Sequence, residues 1–241
     1  MTRPGPTGIL GGTFDPFHLG HLAVARTARA ALALDTVRIV PAAVPPHRHP
    51  PLVGSHHRFA MAALGIAGEP GLLVDDIEVA DDEPSYTIVT LRRLHALGFA
   101  PGQLFFITGA DAFAEIATWK DYPRVLDGAH FIVISREGRP ATSLPSLLPA
   151  LAPRMRAVSL EGGPRPIPAE LAIFLVDAPT PALSSTAVRE RARAGESLEG
   201  LVPPLVAGHI ARHALYRTEA STSPAAGIMR AANELHEQES V

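Results

Sequence analysis

Thr7-Gly8-Ile9-Leu10-Gly11-Gly12-Thr13-Phe14-Asp15-Pro16-Phe17-His18-Leu19-Gly20-His21 is the stretch whose reading decides the fold. Thr7 to Leu10 is a short apolar run, and two glycines follow it. From His18 to Leu34 there is no proline and one glycine, Gly20, in a segment dominated by Ala and Leu. Apolar run, Gly-rich turn and a long run of good helix formers read as strand, turn and helix. The next β-branched run, Val37-Arg38-Ile39-Val40, is closed by Pro41. Strand, helix and strand with short connections form a βαβ unit, which favours a parallel pair.

The same alternation continues outward. Helices are expected over Ser55–Ala67, with Ser55 as N-cap, over Ser85–Leu97, ending near Gly98, over Ser185–Ala194, ending at Gly195, and over Pro203–Tyr216, with a short helical piece at Tyr122–Leu126. Continuous rather than alternating apolar runs lie around Ile9, Ile39, Phe105, Ile132 and Phe174. That pattern fits strands covered on both faces. Leu72–Val74 and Ile77–Val79 read as short extended pieces. The expectation is an α/β fold: a Rossmann-like open parallel sheet of five to six strands with helices on both faces. Residues 137–168 are Pro-rich and carry little signal. No internal repeat is visible. Residues 1–217 are expected to form one domain. Thr218-Glu219-Ala220-Ser221-Thr222-Ser223-Pro224 reads as a flexible connection, so 218–241 is expected to be a C-terminal appendage.

Composition narrows the function classes. The chain has 241 residues, 46% of them apolar, which is enough for a sizeable core. With no cysteine it can hold no disulfide scaffold, thiolate-ligated metal or Cys nucleophile. This fits a reducing compartment, and a signal-like leader and an apolar run of ~20 residues are both absent from the sequence, so a cytoplasmic protein without a membrane partner is expected. With 21 Lys+Arg against 24 Asp+Glu, the charge of −3 argues against a nucleic-acid partner bound through a broad basic surface.

The turn after the first strand carries the chemistry. In an open parallel sheet, ligands bind at the carboxyl ends of the strands. A Gly-rich turn there admits a phosphate, and a helix N-terminus supplies N–H donors and positive potential. His18 and His21 share one face of the first helical turn, and Gly20 between them leaves space for a ligand. Spacing alone leaves the pair open as a phosphate seat, a partial metal site or a packed turn. The zinc pattern His-Glu-x-x-His, the dinucleotide pattern Gly-x-Gly-x-x-Gly and the P-loop pattern are all missing from this turn.

GGTFDPFHLGH resembles the (T/H)xGH motif of the nucleotidyltransferase superfamily in its fuller form GxFDPxHxGH. Leu183-Ser184-Ser185-Thr186-Ala187-Val188-Arg189 resembles that superfamily's second motif, ISSTxIR, and follows in the expected order. The segments between are most similar to those of bacterial nicotinate-nucleotide adenylyltransferases: Pro45-Pro46-His47-Arg48, Pro84-Ser85-Tyr86-Thr87, Thr108-Gly109-Ala110-Asp111, Trp119-Lys120 and Ile134-Ser135-Arg136-Glu137-Gly138. Taken singly, each has a plainer explanation, such as Asp111 capping a helix or Trp119 packing in the core. Their joint occurrence over residues 7–217 carries the resemblance.

The resemblance implies transfer of the adenylyl group of ATP to nicotinate mononucleotide by direct in-line attack, giving nicotinate adenine dinucleotide and pyrophosphate in NAD biosynthesis. It implies His18, His21 and Arg189 as catalytic residues. It places ATP against Gly11, Gly12, Thr13, Phe14, His18, His21, Arg48, Gly109, Asp111, Ser184, Ser185, Thr186 and Arg189. Nicotinate mononucleotide falls to His47, Tyr86, Thr87, Trp119 and Arg136. Mg²⁺ is expected to arrive on the phosphates of ATP, with no protein ligand. The attacking phosphate is already anionic near neutral pH, so no general base is required. The sequence leaves homo-oligomerisation open. Two rivals stand beside this reading: another branch of the superfamily, such as a phosphopantetheine adenylyltransferase or a cytidylyltransferase, and a nucleotide sensor that has kept the fold but not turnover.

Overall fold

A computed structural model of the chain describes residues 5–46, 50–79, 83–136, 138–161 and 166–217. His47, Arg48 and the proposed appendage 218–241 lie outside the described residues. Seven strands form one sheet: β1 (Thr7–Gly12), β2 (Thr36–Pro41), β3 (Leu72–Val74), β4 (Leu104–Gly109), β5 (His130–Ile134), β6 (Met155–Val158) and β7 (Ile173–Val176). Among the described residues, seven α-helices accompany them: α1 (Leu19–Ala31), α2 (Ser55–Gly65), α3 (Thr87–Ala96), α4 (Ala110–Phe113), α5 (Leu144–Leu147), α6 (Ser185–Ala194) and α7 (Pro204–Arg212). The strand order is β3-β2-β1-β4-β5-β7-β6, and every neighbouring pair is parallel.

The sheet has seven strands, not five to six. The additional one is β6, at the edge, in the Pro-rich stretch that gave no signal. Its two central residues, Arg156 and Ala157, are exposed, so it lacks the continuous apolar run that marks its neighbours. Ile77–Val79 is a turn rather than an extended piece. Gly54 occupies the N-cap position of α2, not Ser55. His57, which reads in sequence as an ordinary surface residue, packs α2 against α7: its Nδ1 lies 3.1 Å from Nε2 of His209.

Both faces of the sheet are covered. Leu10, Val37, Ile39, Phe105 and Ile107 join residues of α1, α2, α6 and α7 in one core. Ile9, Val40, Leu104, Phe106 and Phe131 join Ile88, Leu91 and Leu94 of α3 in the other. Alternate residues of one buried strand thus serve two cores, which is why the strands read as unbroken apolar runs. The chain winds from β1 outward to β3, then returns to β4 and winds the other way. The sheet reverses direction between β1 and β4, and the crevice beyond their carboxyl ends is where such folds bind ligands. Those ends are Gly12 and Gly109.

Candidate active site

The polypeptide leaving β1 turns through Thr13–Phe17 into α1. Phe14 holds a left-handed φ of 51° and is buried, as is Phe17. Their rings flank His21: Phe14 meets it edge-on at 4.9 Å between centroids and Phe17 at 5.4 Å. His18 stacks on His21 at 3.7 Å, and the His18 N–H donates to Nδ1 of His21 (3.2 Å). With Nδ1 accepting, the His21 proton sits on Nε2. His18 is 2% exposed. Burial, followed by the nearby Arg136 cation, lowers its pKa to about 4, so the imidazole is neutral at pH 7. Its Nδ1 is buried with no hydrogen-bond partner among the described residues.

Gly20 does a different job from the one its position suggests. A Cβ there would lie 3.0 Å from Cε1 and Nδ1 of His18 and 3.6 Å from Cβ of Leu183. The space belongs to the His18 ring, not to a ligand. Gly20→Ala is expected to push that ring by a few tenths of an ångström and lower kcat/KM about tenfold, since small displacements of a reacting group cost rate steeply. Steady-state kinetics beside a thermal melt separates this from loss of fold. The first amide of α1 is also committed elsewhere, since Leu19 N–H donates to the Leu201 carbonyl (2.9 Å).

The N-terminus of α6 faces this turn and is tied to it. Ser184 caps the helix by accepting from Ala187 N–H (3.2 Å), and Gly195 ends it in a left-handed conformation (φ 71°). Ser185 Oγ donates to the Pro16 carbonyl (3.0 Å). Arg189 donates through Nη1 to the Asp15 carbonyl (2.7 Å) and through Nη2 to Thr186 Oγ1 (3.0 Å). The two superfamily motifs thus form one surface, bordering a cavity of about 910 Å³ with His18, His21, Ser184, Thr186 and Arg189 on its walls.

A second cavity of about 330 Å³ runs along the crest of the sheet, past Gly11, Gly12, Thr13, Gly109 and Asp111. A third, of about 550 Å³, is walled by Tyr86, Thr87, Trp119 and Lys120. Thr13, His21, Arg136 and Ser185 line both the first and the second, and Thr87, Asp111 and Trp119 both the second and the third, so the three make one groove. Trp119 stands edge-on to Phe106 (5.9 Å), and the Lys120 ammonium lies 4.4 Å from the centroid of the Tyr86 ring.

Arg136 stands at the junction of the first two cavities. Its Nε lies 3.8 Å from Asp111 Oδ1. A Cβ on Gly109 would meet that oxygen at 2.4 Å and Arg136 Cγ at 3.1 Å, so only glycine admits both. The turn 136–139 is closed by reciprocal backbone hydrogen bonds (3.1 and 2.8 Å). Asp177, which sequence reading missed, secures its base by accepting from Ser135 Oγ, from Ala141 N–H (2.9 Å) and from Thr142 Oγ1 (2.6 Å). Burial opposes its ionisation, but those donors outweigh it and hold the carboxyl below the usual range. Glu78, also missed, lines the groove. Burial raises its pKa, and Thr90 Oγ1 donates to it.

Among the described residues, no group of three or more His, Asp or Glu side chains is arranged to hold a metal ion. Nor is any helix long and apolar enough to cross a membrane.

Comparison with known proteins places this geometry. A model of the cytidylyltransferase-like family matches residues 9–191. A protein of Chromohalobacter salexigens named "Probable nicotinate-nucleotide adenylyltransferase" is 41% identical over 215 residues, covering 89% of this chain and 97% of its own. One of the same name from a Roseiflexus species is 40% identical over 220 residues, covering 88% and 98%. A solved Plasmodium falciparum nicotinic acid mononucleotide adenylyltransferase, complexed with NaAD, superposes with a TM-score of 0.67 at 18% identity, covering 88% of this chain and 97% of that one, and supports the fold. By its two joined motifs and by these relatives, the chain belongs to the nicotinate-nucleotide adenylyltransferases of the cytidylyltransferase-like family.

Proposed function

We propose that this protein joins ATP and nicotinate mononucleotide to give nicotinate adenine dinucleotide and pyrophosphate, a step of NAD biosynthesis. The observation that carries the reading is the continuous groove, with a cationic and imidazole-lined end at His18, His21 and Arg189 and an aromatic end at Tyr86 and Trp119. A groove so divided suits two nucleotides meeting through their phosphates, the triphosphate at the charged end and the nicotinate ring at the aromatic end.

In this reading a phosphate oxygen of nicotinate mononucleotide attacks the α-phosphorus of ATP. The bond from that phosphorus to the bridging oxygen breaks, and pyrophosphate leaves with the electron pair. The protein supplies position and charge rather than covalent chemistry. Arg136, at the junction, offsets repulsion between the two phosphate groups. His18, His21, Arg189 and the α6 terminus bind the triphosphate, joined by Arg48, while His47 serves the acceptor. Gly11 to Phe14 present backbone to the nucleotide, and Asp111 accepts from ribose hydroxyls. Thr87 and Trp119 receive the nicotinate ring. With no protein ligand assigned to it, Mg²⁺ would come with ATP and would supply further offset of the triphosphate charge beside His18, His21 and Arg189. The catalytic unit is 1–217, in the cytoplasm, and a homo-oligomer is compatible with it.

The test is turnover with ATP and Mg²⁺, offering nicotinate and nicotinamide mononucleotide in parallel and identifying the dinucleotide by mass. Preference for the acid supports the reading. Equal use of both acceptors removes the roles given to Thr87 and Trp119. Failure with both, while ATP still binds, favours the sensor.

A further inference from the structure

Arg58 takes no part in the chemistry above, yet it is 1% exposed and the largest fully buried side chain among the described residues. An arginine is rarely sealed inside a protein, because removing the guanidinium from water costs several kcal/mol unless its donors and its charge are both matched. Here both are. Nη1 donates to the carbonyls of Thr13 (2.8 Å) and Ala42, Nη2 to that of Ala43 (3.0 Å), and Nε to that of Val53 (3.2 Å). The charge is faced by Asp15, 4% exposed, whose carboxylate acts on Arg58 through space. Asp15 in turn accepts from Leu52 N–H (2.8 Å) at Oδ2 and from the Tyr216 hydroxyl (2.8 Å) at Oδ1. Burial and the Asp15 charge drive the Tyr216 pKa far up, so that hydroxyl stays a donor at every working pH.

The carbonyls that Arg58 gathers belong to the groove. Thr13 and Ala42 line it directly, at the ends of β1 and β2. Ala43 leads into Pro45 and Pro46, and Val53 follows Pro50, Pro51 and Leu52, all of which line it as well. One side chain on α2 therefore holds the Gly-rich turn and both described segments, 42–46 and 50–53, that border the phosphate end. Asp15, within the first motif, holds the second segment by its Leu52 contact and the end of the domain by its Tyr216 contact. The three residues are far apart in sequence; Asp15 borders the first cavity, whereas Arg58 and Tyr216 line none of the three.

We infer that Arg58, with Asp15 and Tyr216, is a positioning residue for nucleotide binding: it fixes the walls of the groove, and so sets the affinity for ATP without touching it. The inference rests on the adenylyltransferase reading for its kinetic form. Lysine at 58 keeps the charge but, with one nitrogen, cannot reach four carbonyls in this fork geometry.

The experiment uses the full chain with Arg58→Lys and Tyr216→Phe. KM and kcat are measured for both substrates, ATP binding is measured by calorimetry, and circular dichroism at the assay temperature verifies the fold. Arg58→Lys is expected to raise KM and Kd for ATP about tenfold while kcat changes less than about threefold, because the loss falls on positioned binding rather than on the transition state alone. Tyr216→Phe is expected to give a smaller rise, about threefold. A merely structural role predicts otherwise: fewer folded molecules lower apparent kcat and Tm but leave KM and Kd of the folded ones unchanged. Both constants within twofold of the parent in both variants overturns the inference. Should Arg58→Lys fail to fold, Tyr216→Phe decides alone. Should the parent protein show no turnover, the adenylyltransferase reading fails, and the calorimetric Kd still decides this one.

Discussion

His21→Ala is expected to lower kcat by about 10²–10³-fold while leaving the KM for ATP within a few-fold, the size seen when one preorganised donor to a developing charge is removed. The geometry gives the reason. His21 lines the cavities on both sides of the phosphate junction. Its Nδ1 is occupied by the His18 N–H (3.2 Å), which assigns the proton to Nε2. Phe14, Phe17 and His18 surround the ring, so its orientation is set before substrate arrives. A donor that needs no rearrangement contributes most where charge grows, on the oxygens of the phosphorus under attack. ATP affinity, spread over Arg189, the α6 terminus and the sheet crest, depends on it far less. Steady-state kinetics with both substrates checks this, and kcat within twofold of the parent would remove His21 from the chemistry. The capping bond is lost as well, so the melt is expected to fall by only about 1 kcal/mol of stability.

Sequence patterns made the central strands, the parallel α/β class and the two motifs legible because each is encoded locally. A strand buried on both faces is an unbroken apolar run, and a phosphate-facing turn needs glycine and small polar residues in a row. Arg58, Asp177 and Glu78 were not legible for the opposite reason. An arginine inside Ser55-His56-His57-Arg58 looks like helix surface until the fold brings four carbonyls to it. The tie between Tyr216 and Asp15 spans 201 residues and leaves no local trace. Gly20 reads in sequence as room for a ligand, but it makes room for a side chain of its own turn, and only distances distinguish the two. The edge strand β6 was missed because an edge has solvent on its middle residues.

Acid is expected to weaken the fold well before the carboxylates titrate. Burial, then a nearby arginine, lowers the pKa of both His18 and His130 to about 4. His130 is fully buried, accepts from Ala172 N–H at Nδ1 (3.1 Å) and stacks on Phe105. His209 is lowered too, by burial and then by His213 and His57. Folded values below the unfolded value mean that the unfolded chain binds more protons between pH 6.5 and 4, so stability rises with pH across that window. It is level above about pH 7 and falls as pH drops through 6.5, with about 2 kcal/mol lost by pH 5 for each of His18 and His130. Urea unfolding at pH 7.5 and 5.0 measures the sum. His130→Gln, which keeps an acceptor but cannot titrate, is expected to remove about half of the difference. An unchanged difference in His130→Gln and His18→Gln alike would show that neither histidine is held neutral. The two sites part company when ATP is added. A phosphate beside His18 stabilises its cation and raises its folded pKa, so saturating ATP is expected to shrink the acid loss of His130→Gln, whose remaining dependence lies largely at His18, more than that of His18→Gln, where only His21 of the stacked pair remains beside the phosphate. Equal shrinkage in the two variants would remove His18 from the phosphate site.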